Sequence, residues 1–216
     1  ENRLGGIITI DDILDIIEEE NEEDFAKMNA LAPSDEEYLD SSVYSLAKQR
    51  IMWLLILMIS ATFTGIIIRQ YESVLSSVVI LASFIPMLMD TGGNSGSQSS
   101  TLIIRGLALG ELEITDYPKI LWKEFRVSIL VGLVLAFINF LRIYLLERVD
   151  FIVSLTVCIS LFATVVLAKV VGGMLPLIAK KFKLDPAIMA APLVTTIVDT
   201  FALMVYFSTA SLLMGL

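Results

Sequence analysis

The sequence predicts an all-α integral membrane protein in which each chain crosses the bilayer five times. Hydrophobic residues make up 56% of the 216 residues, and the mean hydropathy is +0.79, which is too apolar for an ordinary soluble domain. Five apolar segments are long enough to span a bilayer as helices. Histidine is absent and there is one cysteine, so neither a disulfide within the chain nor a zinc site of the Cys/His type is expected.

The charge of the chain is unevenly distributed, which suggests three parts. Residues 1–47 contain fourteen Asp or Glu and two Lys or Arg, whereas residues 48–216 contain ten and thirteen. We predict an acidic soluble segment over residues 1–32, a connecting helix over 33–50 and a membrane domain over 51–216, surrounded by lipid. Such acidity argues against nucleic acid as a partner.

The N-terminal segment is predicted to be the tail of a larger soluble domain. Residues 4–10 alternate loosely and are β-branched, which favours one short strand. Asp11 or Asp12 is suited to cap the helix that follows. One strand and one helix cannot bury a core alone. The helix ends in a dense carboxylate run, Glu18, Glu19, Glu22, Glu23 and Asp24. We interpret this run either as a solvated acidic face or as a cytoplasmic sensor of divalent cations.

The connecting helix is predicted from a chain break followed by a start signal. Pro33 breaks the chain, and Ser34 with Glu37 makes the pattern of a capping box. The helix should continue to about residue 49, where Lys48 and Arg50 mark the membrane surface.

Five apolar runs are predicted to cross the membrane, namely residues 51–68, 74–104, 127–146, 151–179 and 187–216. After the second run, Thr115 or Asp116 followed by Pro118 favours a short amphipathic helix in the interface. Most basic residues between the runs fall on one side, which the positive-inside rule assigns to the cytoplasm. We therefore expect a multi-pass protein of the plasma or inner membrane, with its N-terminus in the cytoplasm and its C-terminus outside.

The second run contains a polar stretch, residues 89–101, that lipid cannot satisfy. Irregular polar backbone at membrane depth is tolerated only where protein buries it or where it lines a wet cavity, so we predict a break in this helix. Gly92, Gly93 and Gly96 allow a bend and a close approach of an ion; alternatively, they form a packing notch between helices. The side chains with oxygens that hard cations prefer are Asp90, Asn94, Ser97, Gln98, Ser99 and Thr101.

Asp199 is the least expected residue of the chain, because it lies in an otherwise uncharged apolar run. An aspartate at the centre of a membrane helix costs roughly 2.5–3.5 kcal/mol on insertion scales, and it marks an ion path by default. Counted from the outer ends of their helices, Asp199 and Asp90 both lie about 25 Å deep. Pro192 is expected to free backbone carbonyls nearby, and Thr195 and Thr196 add hydroxyls. An all-oxygen layer suits magnesium, calcium or manganese better than zinc or copper.

A ring of charge around a pore needs more than the one Asp199 that a single chain supplies. A two-fold homodimer is therefore expected, with the second and fifth helices lining a pore at the dimer axis. The competing interpretation is a structural ion pair between Asp199 and Lys169.

Two membrane segments resemble the MgtE family of magnesium channels. The residues that carry the resemblance are PMLMDTGGNSGSQSSTLIIR at 86–105, LDPA at 184–187 and APLVTTIVD at 191–199. Residues 6–15, GIITIDDILD, resemble the closing strand and helix of a CBS domain, which precedes the membrane part in that family. The resemblance covers essentially the whole chain.

The resemblance implies a homodimer with a central pore, a magnesium-responsive plug helix over residues 34–49 and the tail of a CBS domain over residues 1–32. It also implies that Asp199 coordinates hydrated Mg²⁺, with backbone oxygens near Thr195. Some members carry Asn at the positions of Ala191 and Ser97, and Gly at the position of Asp90. The residues expected to shape the pore are Gly92, Gly93, Gly96, Ala191 and Pro192. The residues expected to bind the ion are Asp199, Thr195, Asp90, Asn94, Ser97 and Gln98.

The function expected from these observations is a magnesium-selective divalent-cation channel rather than an enzyme. The sequence has no histidine and no recognisable Ser/Lys dyad, so Asp90 and Asp199 are not expected to form a catalytic pair. Mg²⁺ is expected as the transported ion, and also as a regulatory ion if the acidic run is a sensor. The alternative is a secondary transporter that exchanges a divalent cation for protons or sodium, which broken helices with a buried carboxylate would fit. The lack of an internal repeat weakens that alternative.

Overall fold

The computed structural model describes residues 7–29, 31 and 38–215, and all regular secondary structure in this part is helical. The α-helices are α1 (Ile10–Met28), α2 (Val43–Gln70), α3 (Glu72–Ser77), α4 (Ile85–Ala108), α5 (Tyr117–Leu141), α6 (Phe151–Lys181) and α7 (Ala191–Met214). Three short 3₁₀ segments cover Val79–Phe84, Ile114–Asp116 and Pro186–Met189, and a π-helical segment covers Arg142–Leu146.

Four helical stretches in the described part are long and apolar enough to cross a membrane. They are Val43–Gln70, Ile114–Leu146, Phe151–Lys181 and Ala191–Met214. The all-helical class is thus confirmed, and the apolar helices fit a multi-pass membrane protein. The four do not include α4, which has 24 residues but carries the polar stretch in its middle.

The centre of the molecule is α6, which packs against α4, α5 and α7. The helix α7 also contacts α4 on one side and α2 on the other. A core of Leu81, Leu88, Val157, Leu203 and Phe207 fills one end of this bundle. At that end the buried Tyr206 hydroxyl donates to the carbonyl oxygen of Leu81 at 2.9 Å, which ties α7 to the 3₁₀ segment before α4.

The N-terminal segment differs from its predicted form. Leu4 lies outside the described residues, Ile7 to Thr9 form no strand, and Ile10 already opens α1. Thr9 caps the helix, whereas Asp12 takes the third helical position and accepts from the Thr9 backbone N–H at 2.8 Å. This capping box sets the start of the helix because each of the two side chains accepts a hydrogen bond from the backbone N–H of the other residue.

No break separates a connecting helix from the first crossing within the described residues. The predicted start, Ser34 with Glu37, lies outside the described residues. Residues 38–41 form turns and a bend, so the helix expected there is wrong. The helix α2 begins at Val43 behind the Ser42 cap and continues past residue 50 to Gln70. The backbone of the expected junction therefore remains helical.

The break predicted within residues 89–101 is wrong, because α4 runs through it as a continuous helix. The helix pairs its own backbone groups, so only the side chains of this stretch remain polar. Irregular backbone lies just before it instead, at Val79–Phe84, and Pro86 occupies the first turn of α4, where its missing N–H costs nothing.

Two further interruptions expected along the chain are absent from these helices. Pro118 lies in the first turn of α5, which extends directly into the third crossing, so there is no separate interfacial helix. The helix α6 continues past Lys169, Gly172 and Gly173 and contains Pro176 in its interior. Packing on three sides holds α6 together where local propensity would interrupt it.

Candidate functional site

The helix α4 has two faces of opposite character. One face is buried and carries Leu88, Gly92, Gly96, Ser99 and Ile103. The other face is exposed or partly exposed in the chain and consists of Asp90, Asn94, Ser97, Gln98 and Thr101. Residues three and four apart share one side of a helix, so these five form a continuous polar face about 16 Å long.

Three glycines on α4 provide the close contact with α7. A Cβ atom on Gly92 would lie 3.0 Å from Val198 Cγ1, and one on Gly93 would lie 2.9 Å from Thr195 Cγ2. A Cβ atom on Gly96 would lie 2.8 Å from Cγ1 of Val194, which is one turn before Val198 on α7. The glycines are buried, and they act as the packing notch of the second interpretation. Their contribution to a pore wall stays a prediction.

Asp199 lies on α7 beside the polar face of α4. Its side chain is partly exposed, and the charge of Asp90 acts on it. The two carboxylates that we expected in one layer therefore lie within electrostatic reach of each other. Within the described residues neither one has a hydrogen bond or an ion pair, so the oxygens of both remain available to a ligand.

The start of α7 is built differently from its prediction. Pro192 lies in the first turn, where no carbonyl loses its partner, so the expected freeing of carbonyls near Asp199 is wrong. The Pro192 carbonyl accepts hydrogen bonds from Thr195 Oγ1 at 3.0 Å and from Thr196 Oγ1 at 2.9 Å. Both hydroxyl hydrogens are thus used, and the oxygen lone pairs remain. Ala191 is partly exposed at the first helical position.

Lys169 is not the partner of Asp199, so the structural ion pair is wrong. Lys169 is 5% exposed, and its Nζ lies 3.5 Å from Oε1 of Gln98 on the polar face of α4. None of the ion pairs among the described residues includes Lys169. Its contact instead ties Gln98 to α6.

The chemistry of this face suits a hydrated divalent cation. The described residues of one chain contain no group of three or more Asp, Glu, His or Cys that could hold a metal ion. Two carboxylates, two amides and several hydroxyls nevertheless offer hard oxygen ligands. Mg²⁺ loses its water reluctantly and is commonly held by one or two carboxylates through retained waters. The oxygens of this face are therefore suited to contact a hydrated divalent cation through its water.

The acidic run on α1 faces mostly outward. Glu18, Glu19 and Glu22 are exposed, and Glu23 and Asp24 are partly exposed. Within the described residues this run is no part of a three-carboxylate metal group. Its role as a cation sensor stays a prediction.

The C-terminal end of α1 is attached to the membrane domain by Lys27. The Lys27 ammonium lies 2.5 Å from Glu23 and 2.6 Å from Asp185, which precedes α7. Burial and the charge of Asp185 raise the pKa of Asp24. Burial alone would raise the pKa of Asp185, but hydrogen bonds from Lys27 and from the Ala187 backbone lower it. The Lys27 ammonium thus joins the end of α1 to the segment between α6 and α7.

Sequence reasoning missed two polar contacts that hold the polar stretch in place. Ser99 Oγ donates to Glu124 Oε2 on α5 at 2.5 Å. Ser100 Oγ donates to the carbonyl oxygen of Met189 in the 3₁₀ segment before α7. Glu124 lies among the charged residues that precede the apolar run at 127, so the sequence offered no signal for this contact. No local pattern indicates the carbonyl at Met189, because its partner is 89 residues away.

Comparison with known proteins agrees with this geometry. A family model described as MgtE, divalent cation transporter, matches residues 85–209, which include the polar face of α4 and Asp199. The magnesium transporter MgtE of Thermus thermophilus is 40% identical over 219 residues, covering 99% of this chain and 47% of that protein. The magnesium transporter MgtE of Bacillus subtilis is 35% identical over 210 residues, covering 97% and 46%.

The chain spans about half the length of the curated relatives it matches. The match nevertheless extends over nearly the whole chain, and the family model covers more than half of it. On these grounds, and on the apolar helices that surround an acidic, all-oxygen face, the chain belongs to the MgtE family of divalent cation transporters.

Proposed function

We propose that this chain forms the pore part of a homodimeric channel that carries hydrated Mg²⁺ across the membrane, with Asp199 of each subunit as the ion site. The observation that carries the proposal is the position of Asp199 beside the polar face of α4, within reach of the Asp90 charge and without a protein partner in the described part. An unpaired carboxylate inside a membrane helix is costly unless it faces water or an ion.

A second copy of the chain would provide what one copy lacks. Asp90, Asn94 and Gln98 are exposed in the single chain, although lipid cannot satisfy an uninterrupted stripe of such groups. Two polar faces turned toward each other would enclose a wet passage with four carboxylates. Such a passage can hold one Mg²⁺ through water, as its strong hydration requires. The dimer thus accounts for the polar face and for the charge of the ion together.

In this arrangement α4 is the second crossing of each chain, and it brings the number of crossings to five. It lies between helices that cross the membrane, and a lining position in a pore accounts for its polarity. Basic residues at the ends of α4 and α6, namely Arg105, Lys180 and Lys181, favour the cytoplasm for these ends. The N-terminus is then cytoplasmic and the C-terminus lies outside, in the plasma or inner membrane.

Regulation by cytoplasmic Mg²⁺ would act through the N-terminal segment. α1 contacts the loop before α7 through Lys27 and Asp185, close to the proposed inner end of the pore. Residues 34–49 are the proposed plug. Mg²⁺ bound at Glu18, Glu19, Glu22, Glu23 or Asp24 would change the charge of α1 and so alter this contact.

The alternative, a secondary transporter that exchanges the cation for protons or sodium, is disfavoured by the continuity of α4 and α6. Discontinuous helices at the midplane are a hallmark of many such transporters. Flux into liposomes would separate the two mechanisms. Mg²⁺ uptake driven by its own gradient and by the membrane potential, without a counter-ion, is expected of the channel.

The direct test is Asp199→Ala in the full chain, assayed by rescue of a magnesium-dependent bacterial strain. We expect uptake to be lost while the protein still migrates as a dimer in detergent. Glu111→Ala is the matched control, because Glu111 is an exposed carboxylate in the loop after α4. Rescue at the parent rate by Asp199→Ala would contradict the proposed ion site.

A further inference from the structure

Lys169 is a charged residue inside the helix bundle for which the proposed ion site gives no role. It is 5% exposed although it lies in the middle of a membrane-spanning helix. It is twelve residues from the end of α6 at Lys181, about 18 Å along the helix, so its side chain cannot extend to that surface. A buried lysine at this depth is costly and marks a functional position by default.

The ammonium group of Lys169 is directed to the polar face of α4. Its Nζ lies 3.5 Å from Oε1 of Gln98, and no ion pair among the described residues neutralises it. The helices α4 and α6 are in close backbone contact just beside this position. A Cβ atom on Gly96 would lie 3.1 Å from the Ala168 carbonyl oxygen, and one on Gly172 would overlap the backbone of Gly96. This close contact between α4 and α6 fixes the position from which the Lys169 side chain extends.

Gln98 lies at a different position along the polar face of α4 from the two carboxylates. Gln98 follows Asp90 by eight residues on α4, which is about 12 Å along the helix. Gly92 of α4 packs against Val198, the neighbour of Asp199, whereas Gly96 packs against Ala168, the neighbour of Lys169. The polar face thus carries negative charge at Asp90 and a separate positive charge beside Gln98.

We propose that Lys169 is a fixed positive charge beside the cation path at Gln98, where it raises the electrostatic barrier and so slows the passage of divalent cations. The inference rests on the proposed function, because it requires ions to move along the polar face of α4. Lys169 acts on the ion through space, and Gln98 holds the ammonium group at the wall of the path.

The expected effect depends on the charge of the ion. A unit charge roughly 8 Å from a divalent ion in wet surroundings slows its passage roughly fivefold, and slows a monovalent ion roughly twofold. Neutralising Lys169 should therefore increase the flux of Mg²⁺ more than the flux of K⁺. A purely structural lysine would not change the ratio of the two fluxes in this direction.

The experiment compares initial rates of Mg²⁺ and K⁺ uptake into liposomes that contain the full chain. Lys169→Met removes the charge and should raise Mg²⁺ flux roughly fivefold and K⁺ flux roughly twofold. Lys169→Arg retains the charge and should match the parent. Lys123→Met is the control, because it removes an exposed lysine of α5 that lies outside the proposed path. The intrinsic fluorescence of Trp53 and Trp122 and the elution volume in detergent report whether each variant is folded.

The inference is overturned if folded Lys169→Met carries Mg²⁺ at the parent rate or more slowly, or if Lys169→Arg shows the same increase as Lys169→Met. Lys169→Gln is a second neutral variant that can still bond to Gln98. If neither neutral variant folds, the charge is structural and the inference is also overturned. The absence of Mg²⁺ flux in the parent would instead refute the proposed function, so the two failures are distinguishable.

Discussion

Replacing Gly172 with alanine tests the contact on which the geometry of the polar face depends. Gly172 lies on α6 against the backbone of Gly96 on α4. An added Cβ atom would overlap the carbonyl oxygen of Gly96, and it would lie 2.7 Å from the carbonyl carbon and 2.9 Å from Cα. Ordinary contact begins at 3.4 Å, so α4 would have to move by at least about 0.7 Å to reach that separation from the carbonyl carbon.

The magnitude follows from the atoms that would collide. Overpacking typically costs 1–3 kcal/mol, and about 3 kcal/mol is expected here because backbone atoms cannot rotate out of the way. Alanine also favours a helix over glycine by about 1 kcal/mol. The net loss in the free energy of unfolding is then about 2 kcal/mol. For a chain of this length, such a loss corresponds to a decrease of roughly 4–8 °C in melting temperature.

The assay is thermal unfolding in detergent, followed by fluorescence-detected size exclusion, alongside Mg²⁺ uptake. Gly65→Ala is the matched control, because Gly65 lies inside α2 and a Cβ atom there would meet nothing within 4 Å. We expect Gly65→Ala to keep or slightly raise the melting temperature and to leave uptake unchanged. Gly172→Ala should lower both quantities.

An unchanged melting temperature for Gly172→Ala would refute this reasoning. It would mean that α4 and α6 separate at this crossing at little cost, so the polar face would not be fixed relative to α6. A lower melting temperature in both variants would instead indicate a general effect of helix glycines, unrelated to the crossing.

Three further substitutions test contacts around the site. Tyr206→Phe should lower the free energy of unfolding by about 1–2 kcal/mol in thermal melts, because it leaves the buried Leu81 carbonyl without its donor. Thr164→Val should be neutral or stabilising by about 1 kcal/mol in the same melts, because Thr164 Oγ1 is buried without a hydrogen-bond partner in the described part; a clear loss would contradict this. Lys27→Met should release α1 from the membrane domain, measured as faster limited proteolysis between α1 and α2, since it breaks the contact with Asp185. The pKa of Lys27 is raised and that of Asp185 is lowered, so this contact stabilises fully between pH 3.8 and 10.5. The contact should weaken as the pH falls through the lowered pKa of Asp185 or rises past the raised pKa of Lys27. Equal protection from proteolysis in the parent and in Lys27→Met at neutral pH would contradict a stabilising role for this contact.

The sequence was sufficient to predict features that depend on fixed helix geometry. The apolar runs predicted helices because length and composition alone identify them. The proximity of Asp90 and Asp199 followed from counting residues at a constant rise. The shared side of Asp90, Asn94 and Gln98 was not predicted, because a break was expected there; it follows from their spacing of four residues once α4 is continuous.

The sequence failed where tertiary contacts override local preference. Gly92, Gly93 and Gly96 suggested a break, yet α7 packs directly on these glycines and the helix continues. Pro192 suggested freed carbonyls, but its effect depends on where the helix starts, and helix boundaries are the least certain part of a sequence prediction. Lys169 and Gln98 are 71 residues apart in the sequence, so no local pattern could reveal their contact.

The hydrogen bond from Ser100 to Met189 joins α4 to the 3₁₀ segment before α7. Together with the glycine contacts between α4 and α7 and the bond from Tyr206 of α7 to Leu81 before α4, it gives this helix pair attachments at three heights. Sliding one helix along the other would break all three attachments, so we expect α4 and α7 to move together in the proposed dimer. The aperture between the two subunits of the proposed dimer would then widen by tilting of these helix pairs against each other.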